Sequence, residues 1–328
     1  MPVAVTGSIA TDHLMTFPGK FTEQFVEGQM ENVSLSFLVD DLVQHRGGAG
    51  ANMAYGLGLL GLAPVLVGSV GSDFADYDAW LTRHGVDTGS VHWSELKHTA
   101  RFVCTTDAVN NQIASFYSGA MSEAACIELA PVADRVDGLD LVVVGPNDPT
   151  AMVRHTQECR HRGYAFVADP SQQMAWADGE MIRELVDGAD LLFTNEYEAA
   201  LLLQKTGWTA DEVLSRVGVR VTTHGKDGVV VEREGAEAAA VPVVEASRIA
   251  DPTGVGDAFR GGFLAALAWG LPHERCAQVG CLLATYVLET VGTQEYDLGR
   301  ADFLRRLAGA YGSEAADEVE PHLRTLRP

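Results

Sequence analysis

The chain has 328 residues, 47% of them hydrophobic, which is enough for a sizeable core in one large α/β domain or two smaller ones. Lys plus Arg number 23 against 45 Asp plus Glu, a net charge of −22 that argues against a nucleic-acid partner and asks any anionic substrate to find a locally positive or metal-assisted site. Five cysteines without a CxxC pair argue against a disulfide framework, and no leader-like N-terminus or bilayer-length apolar run occurs, so a soluble, cytoplasmic protein with no membrane partner is expected.

Taken in order, short β-branched runs predict strands at 3–8, 64–70, 139–145, 164–169, 189–195 and 219–225. Helical spacing fills the gaps at 49–60, 75–84, 150–162, 179–187 and 196–206. Strands apolar on both faces, separated by helices, imply a mainly parallel sheet in a three-layer α/β/α arrangement. Ligands in such sheets collect at the carboxyl ends of the strands, which here finish in Ser8, Asn147, Asp169, Asn195 and Gly225.

Two regions break the rhythm. Residues 13–46, with the alternating run VSLSFLV (33–39), and the hairpin 99–118 both predict antiparallel strands of a small sheet lying over the main one. A hairpin loop centred near Val109 sets Phe102 opposite Phe116. Such a pair serves to stabilise a sheet, or, on a lid above a cleft, gives a planar base a stacking surface. Asp12, just past the first strand, is either an exposed turn acid or an acceptor for two vicinal hydroxyls. Gln172 and Gln173, in DPSQQ after another strand end, carry carboxamides that can pair with adenine. His155, Cys159 and His161 lack a fourth metal ligand and predict a solvated helix with a half-buried cysteine. Cys276 and Cys281 lie on an apolar helix, and the acidic, Ala-rich tail from Ser313 predicts a surface helix.

The densest chemistry is DPTGVGDAFRGGF (251–263), where a glycine-rich loop turns straight into an apolar-periodic helix. A helix start leaves backbone N–H groups unpaired beside a partial positive charge, and glycines let an anion come close. Asp257 in the first turn is also simply what the helix dipole favours. No GxxxxGK[ST] loop occurs, and the first strand is followed by GSIATD rather than GxGxxG.

Three motifs together resemble the ribokinase-like (PfkB-type) family of sugar and nucleoside kinases: Gly47-Gly48-Ala49-Gly50-Ala51-Asn52, Asn195-Glu196-Tyr197-Glu198, and Asp251-Pro252-Thr253-Gly254-Val255-Gly256-Asp257. The resemblance implies one ribokinase-like domain over 1–328, with a small β lid from about 13–46 and 99–118. It implies transfer of the γ-phosphoryl group of ATP to a hydroxyl. The amides of Gly254, Val255 and Gly256 would hold the developing charge and Asp257 would be the general base, a division of labour that suits phosphoryl transfer. Glu198 is implied in the water shell of Mg²⁺ and Asn195 near the phosphates, although the same pair spells a helix capping box. Thr223, Gly225 and Gly228 resemble the nucleotide-side loop, and Gly292-Thr293-Gln294 lies where the family closes its ATP pocket. Asp251 and the Thr253 carbonyl resemble ligands of a monovalent cation such as K⁺.

On the acceptor side the resemblance assigns Asp12, Gly48 and Asn52 to the sugar, with Ser8 beside them, and adds Ser36 to the candidate pocket. GSIATDHL, ADPSQQ and GTQE are similar to the bacterial adenosine kinase branch, so adenosine and ATP are the expected ligands. The alternatives are a ribokinase-like sugar kinase, an inosine or guanosine kinase, or a nucleoside sensor without turnover. The resemblance also implies a homodimer, in which lid strands of two subunits pair.

Overall fold

The structure, a computed structural model, describes residues 1–25 and 36–326. Its strands are β1 (Val3–Thr6), β2 (Ala10–Thr16), β3 (Asp41–Gly47), β4 (Val65–Val67), β5 (Ser69–Val70), β6 (His92–Trp93), β7 (Ala100–Thr106), β8 (Gln112–Tyr117), β9 (Leu141–Val144), β10 (Phe166–Ala168), β11 (Leu191–Asn195), β12 (Val219–Thr223), β13 (Val229–Glu232) and β14 (Ala239–Val241). Eight of them form the central sheet, in the order β14-β13-β12-β11-β10-β9-β1-β4. The six from β12 to β4 run parallel; β13 and β14 add an antiparallel edge that the strand pattern did not predict.

Alternation along each strand feeds two cores. Val3 and Val5 of β1, with Leu141 and Val143 of β9, pack with the helices Ala49–Leu59, Val255–Ala268 and His273–Leu288. Ala4, Val142 and Val144 face the opposite way, toward the helices Leu129–Arg135, Pro149–Arg162 and Gly179–Val186. Period two in the strands therefore becomes three layers. The helices start and stop where the side chains dictate. Asp148 accepts the amides of Thr150 and Ala151, Pro149 opens the first turn, and Gly163 ends the helix in the left-handed region.

The small sheet has the order β3-β2-β7-β8. Its hairpin register is the one expected, with Phe102 opposite Phe116. Two expectations need correction. First, β2 and β7 pair in parallel, so the sheet is mixed rather than antiparallel. Second, the described part of the alternating run, 36–39, is not a strand; Phe37 instead packs on the rings of Phe17 and Phe21 at 4.8 and 5.3 Å, and the pairing strand begins at Asp41. Residues 33–35 of that run lie outside the described residues.

The helix carrying His155 and Cys159 also differs from expectation. Both side chains are fully buried: His155 bridges the Thr6 hydroxyl at 2.7 Å and the Ile127 carbonyl at 3.1 Å, and Cys159 packs into the apolar core. Among the described residues, no helix is long and apolar enough to cross a membrane.

Candidate active site

Five parallel strands run out at one edge of the central sheet, followed by Ser8, Asn147, Asp169, Asn195 and Thr223 or its neighbours. Two helix starts face that edge, and the two glycine signatures supply them. Gly48 precedes Ala49–Leu59 with φ +93°, and a β-carbon there would stand 2.5 Å from the Ser8 carbonyl oxygen. Gly254 precedes Val255–Ala268 with φ +76°, and a β-carbon there would stand 2.8 Å from Thr293 Cγ2. Only glycine fits either place without strain. Ser8 accepts the Ala49 amide at 3.0 Å, so its hydroxyl caps the first of these helices.

The first-turn amides after Gly254 have no carbonyl four residues back within the helix, and the Val255 amide reaches only the Pro252 carbonyl, at 3.4 Å. Asp257 sits in that turn. The Asn52 amide donates to its Oδ2 at 2.8 Å, which joins the N-terminal and C-terminal signatures across 205 positions. Burial raises the Asp257 pKa above its ordinary value, while the Asn52 hydrogen bond and the Arg260 charge hold the rise back. A carboxylate so placed is a stronger base than one in water.

Asn195 and Glu198 form a true capping box: the Glu198 amide donates to Asn195 Oδ1 and the Asn195 amide to Glu198 Oε2, both at 2.8 Å. Glu198 nevertheless belongs to the cleft, because Arg260 lies 3.9 Å from its Oε2. Burial raises the Glu198 pKa; the Asn195 bond and Arg260 work against it, and Asp169 and Asp257 with it. Arg260, buried one turn beyond Asp257, also lies 2.6 Å from the buried Asp169 and donates to the Ser171 hydroxyl at 3.2 Å. The residue went unremarked in the sequence, where its one signal was a lone charge on an apolar helix.

Asp12 lies against Gly47, where a β-carbon would meet its Oδ2 at 2.9 Å. Burial pushes its pKa up to about 6, with His45 opposing and Asp251 adding to the rise. The small-sheet register then aligns His45, Asp12, Phe102 and Phe116 in a single cross-strand row. Residues in register project from the same face of a sheet.

Other candidates divide. Gln172 is exposed, whereas Gln173 donates one amide hydrogen to the Asn147 carbonyl at 2.9 Å. Ser36 is exposed and outside any strand. Thr223 pairs with Asn195 in register, and Gly225 and Gly228 shape the turn into β13. Asp251 accepts the amides of Thr253 at 2.9 Å and Gly292 at 3.2 Å. Burial acts to raise its pKa, but those bonds outweigh it and leave the carboxyl below its ordinary value. Gln294 is fully buried against Asn52 and Tyr77, rather than lining an open nucleotide pocket.

Among the described residues no three His, Cys, Asp or Glu side chains converge into a metal cage. Glu198, acting through bound waters, fits an ion such as Mg²⁺ that keeps most of its waters and rides on phosphate. A separate groove of about 630 Å³ is lined by Trp80, His84, Gln294, Glu295 and Tyr296. It lacks the glycine-led helix start found at the sheet edge.

A parallel sheet ending in polar residues beside a glycine-led helix with a buried first-turn acid, together with a small mixed sheet, defines the ribokinase fold. The chain belongs to the pfkB family of carbohydrate kinases, whose sequence pattern it matches over residues 8–298. A nucleoside kinase of Methanocaldococcus jannaschii is 30% identical over 256 residues, covering 76% of this chain and 82% of that protein. A cytidine kinase of Thermococcus kodakarensis is 26% identical, covering 75% and 88%. The nucleoside kinase of Burkholderia thailandensis in complex with inosine is 34% identical, with a TM-score of 0.81, covering 94% of this chain and 98% of that one.

Proposed function

We propose that this protein is an ATP-dependent nucleoside kinase whose preferred acceptor is adenosine, yielding AMP and ADP. The observation that carries this reading is Asp257, held by Asn52 in the first turn of a glycine-led helix. In the proposed reaction the 5′-oxygen forms a bond to the γ-phosphorus as the bond to the β–γ bridging oxygen breaks, and Asp257 takes the hydroxyl proton. The amides of Gly254, Val255 and Gly256 meet the charge that develops on the phosphoryl oxygens. Asn195, Thr223, Gly225 and Gly228 form the nucleotide side, and Glu198 orders the water shell of Mg²⁺, which supplies charge neutralisation. Asp12 takes the ribose hydroxyls, Gly48 gives them a close backbone and Ser8 fixes its helix, while Asn52, bound to Asp257 and Gln294, positions the general base rather than the sugar. Phe102 and Phe116 stack on the base. Asp251 and Thr253 shape the loop that delivers Gly254, and a K⁺ ion at the Thr253 carbonyl is part of the proposal.

The exposed Leu42, Ile113 and Tyr117, on the face of the small sheet opposite Phe116, support a homodimer formed through that lid. A second acceptor reading, inosine or guanosine, is favoured by one finding: the similar nucleoside kinase of Burkholderia thailandensis was solved in complex with inosine. ADP release measured in parallel with adenosine, inosine, guanosine, cytidine and ribose separates the readings. Adenosine is expected to lead in kcat/KM; a lead by inosine moves the assignment to the second reading, and a lead by ribose overturns the nucleoside assignment.

A further inference from the structure

Asn52 does not hold Asp257 unaided. Its Oδ1 accepts from Gln294 Nε2 at 2.9 Å and lies 2.9 Å from the Thr293 hydroxyl. Gln294 Nε2 also donates to the Tyr77 hydroxyl, which in turn donates to the Gly47 carbonyl at 2.9 Å. All three relay side chains are buried: Asn52 6%, Gln294 0% and Tyr77 4% exposed.

The direction of every bond in this chain is forced. An ionised carboxylate accepts only, so Asn52 must turn its NH₂ to Asp257 and its oxygen to Gln294. A backbone carbonyl also accepts only, so Tyr77 spends its hydrogen on Gly47 and can only accept from Gln294. The Gln294 NH₂ therefore has both hydrogens placed, one on Asn52 and one on Tyr77. Its own Oε1 is left buried with no hydrogen-bond partner. Buried acceptors are rarely left unpaired. Flipping the Gln294 amide would set its oxygen against two acceptors and release Asn52 to turn over, so the orphaned oxygen is the consequence of aiming both donors.

We infer that Gln294 is a positioning residue for phosphoryl transfer, fixing through Asn52 the orientation of Asp257 and anchoring it through Tyr77 to Gly47 at the root of the small sheet. The inference rests on the reading of Asp257 as the base. It also places Gln294, 37 positions beyond Asp257, in the chemistry without any contact to a reactant.

The test compares Gln294→Met, Gln294→Glu, Tyr77→Phe and Asp257→Asn with the parent protein, by steady-state kinetics on the nucleoside that the parent turns over best. Misplacement of a reacting group by a fraction of an ångström to an ångström costs up to about 100-fold. Gln294→Met is accordingly expected to lower kcat by about 10- to 100-fold, with KM for nucleoside and ATP within about twofold of the parent. Gln294→Glu, nearly isosteric, is expected to be worse, because a carboxylate invites the Asn52 NH₂ away from Asp257. In the Asp257→Asn background Gln294→Met should remove nothing further, since it acts only through the base. A role in packing alone would instead move KM and thermal midpoint together with kcat, make Gln294→Glu the milder change, and add its loss to that of Asp257→Asn; that pattern overturns the inference. If Gln294→Met does not fold, Tyr77→Phe decides: a fall in kcat at unchanged KM supports the relay, and parent-like kcat overturns it. Full turnover in Asp257→Asn would defeat the base assignment itself, whereas an inactive Asp257→Asn beside a parent-like Gln294→Met defeats the relay alone.

Discussion

Removing one ring from the small sheet separates a nucleoside kinase from a sugar kinase. Phe116 is 55% exposed and stands opposite Phe102, in the same cross-strand row as Asp12. Truncating such an exposed ring takes little from the core, so Phe116→Ala should move the thermal midpoint by no more than about 2 °C. Base–aromatic stacking is worth about 1–3 kcal/mol. At about 1.4 kcal/mol per decade this is a rise of about 5- to 150-fold in nucleoside KM, if KM tracks affinity. Initial rates of ADP release against nucleoside concentration measure it, with ribose as the control because it has no base to stack. An unchanged nucleoside KM, or equal rises for nucleoside and ribose, would refute the stacking role of the lid.

Asp12 should confer a pH dependence on acceptor binding. Its pKa is raised to about 6, so it is ionised and accepts two hydroxyls at pH 7.5 but becomes neutral below pH 6. Nucleoside KM should therefore climb as the pH falls through 6, and Asp12→Asn should show high KM with that inflection gone; a retained inflection assigns it elsewhere. Gly254→Ala forces an L-residue to φ +76° and puts a methyl 2.8 Å from Thr293 Cγ2. The strain is about 1–2 kcal/mol. The displaced helix start should lower kcat by about 100-fold, as loss of an aligned oxyanion donor does. Circular dichroism and single-substrate kinetics check both, and parent-like kcat would detach the glycine from the chemistry.

Strand and helix positions were legible because period two and period 3.6 report directly on which face is buried: the hairpin strands fall at 100–106 and 112–117 within the predicted 99–118. Asn52 and Asp257 were legible as members of motifs, although nothing in the sequence said that they touch. Pattern reports faces but not partners, which is why the parallel β2–β7 pairing was missed. The run 36–39 failed as a strand because Phe37 gains more by joining Phe17 and Phe21. Arg260 was hidden because its partner Asp169 lies 91 positions earlier, and Gln294 because its role depends on hydrogen-bond direction, which only three-dimensional contact defines.

The central claim is that the carboxylate of Asp257 takes the acceptor proton as phosphate arrives. Single-turnover rapid-quench measurement of nucleoside monophosphate formation by Asp257→Asn, with ATP and nucleoside both saturating, tests it most directly. The variant should fold, bind both substrates and form product at least about 100-fold more slowly than the parent. A chemical step within a fewfold of the parent would contradict it.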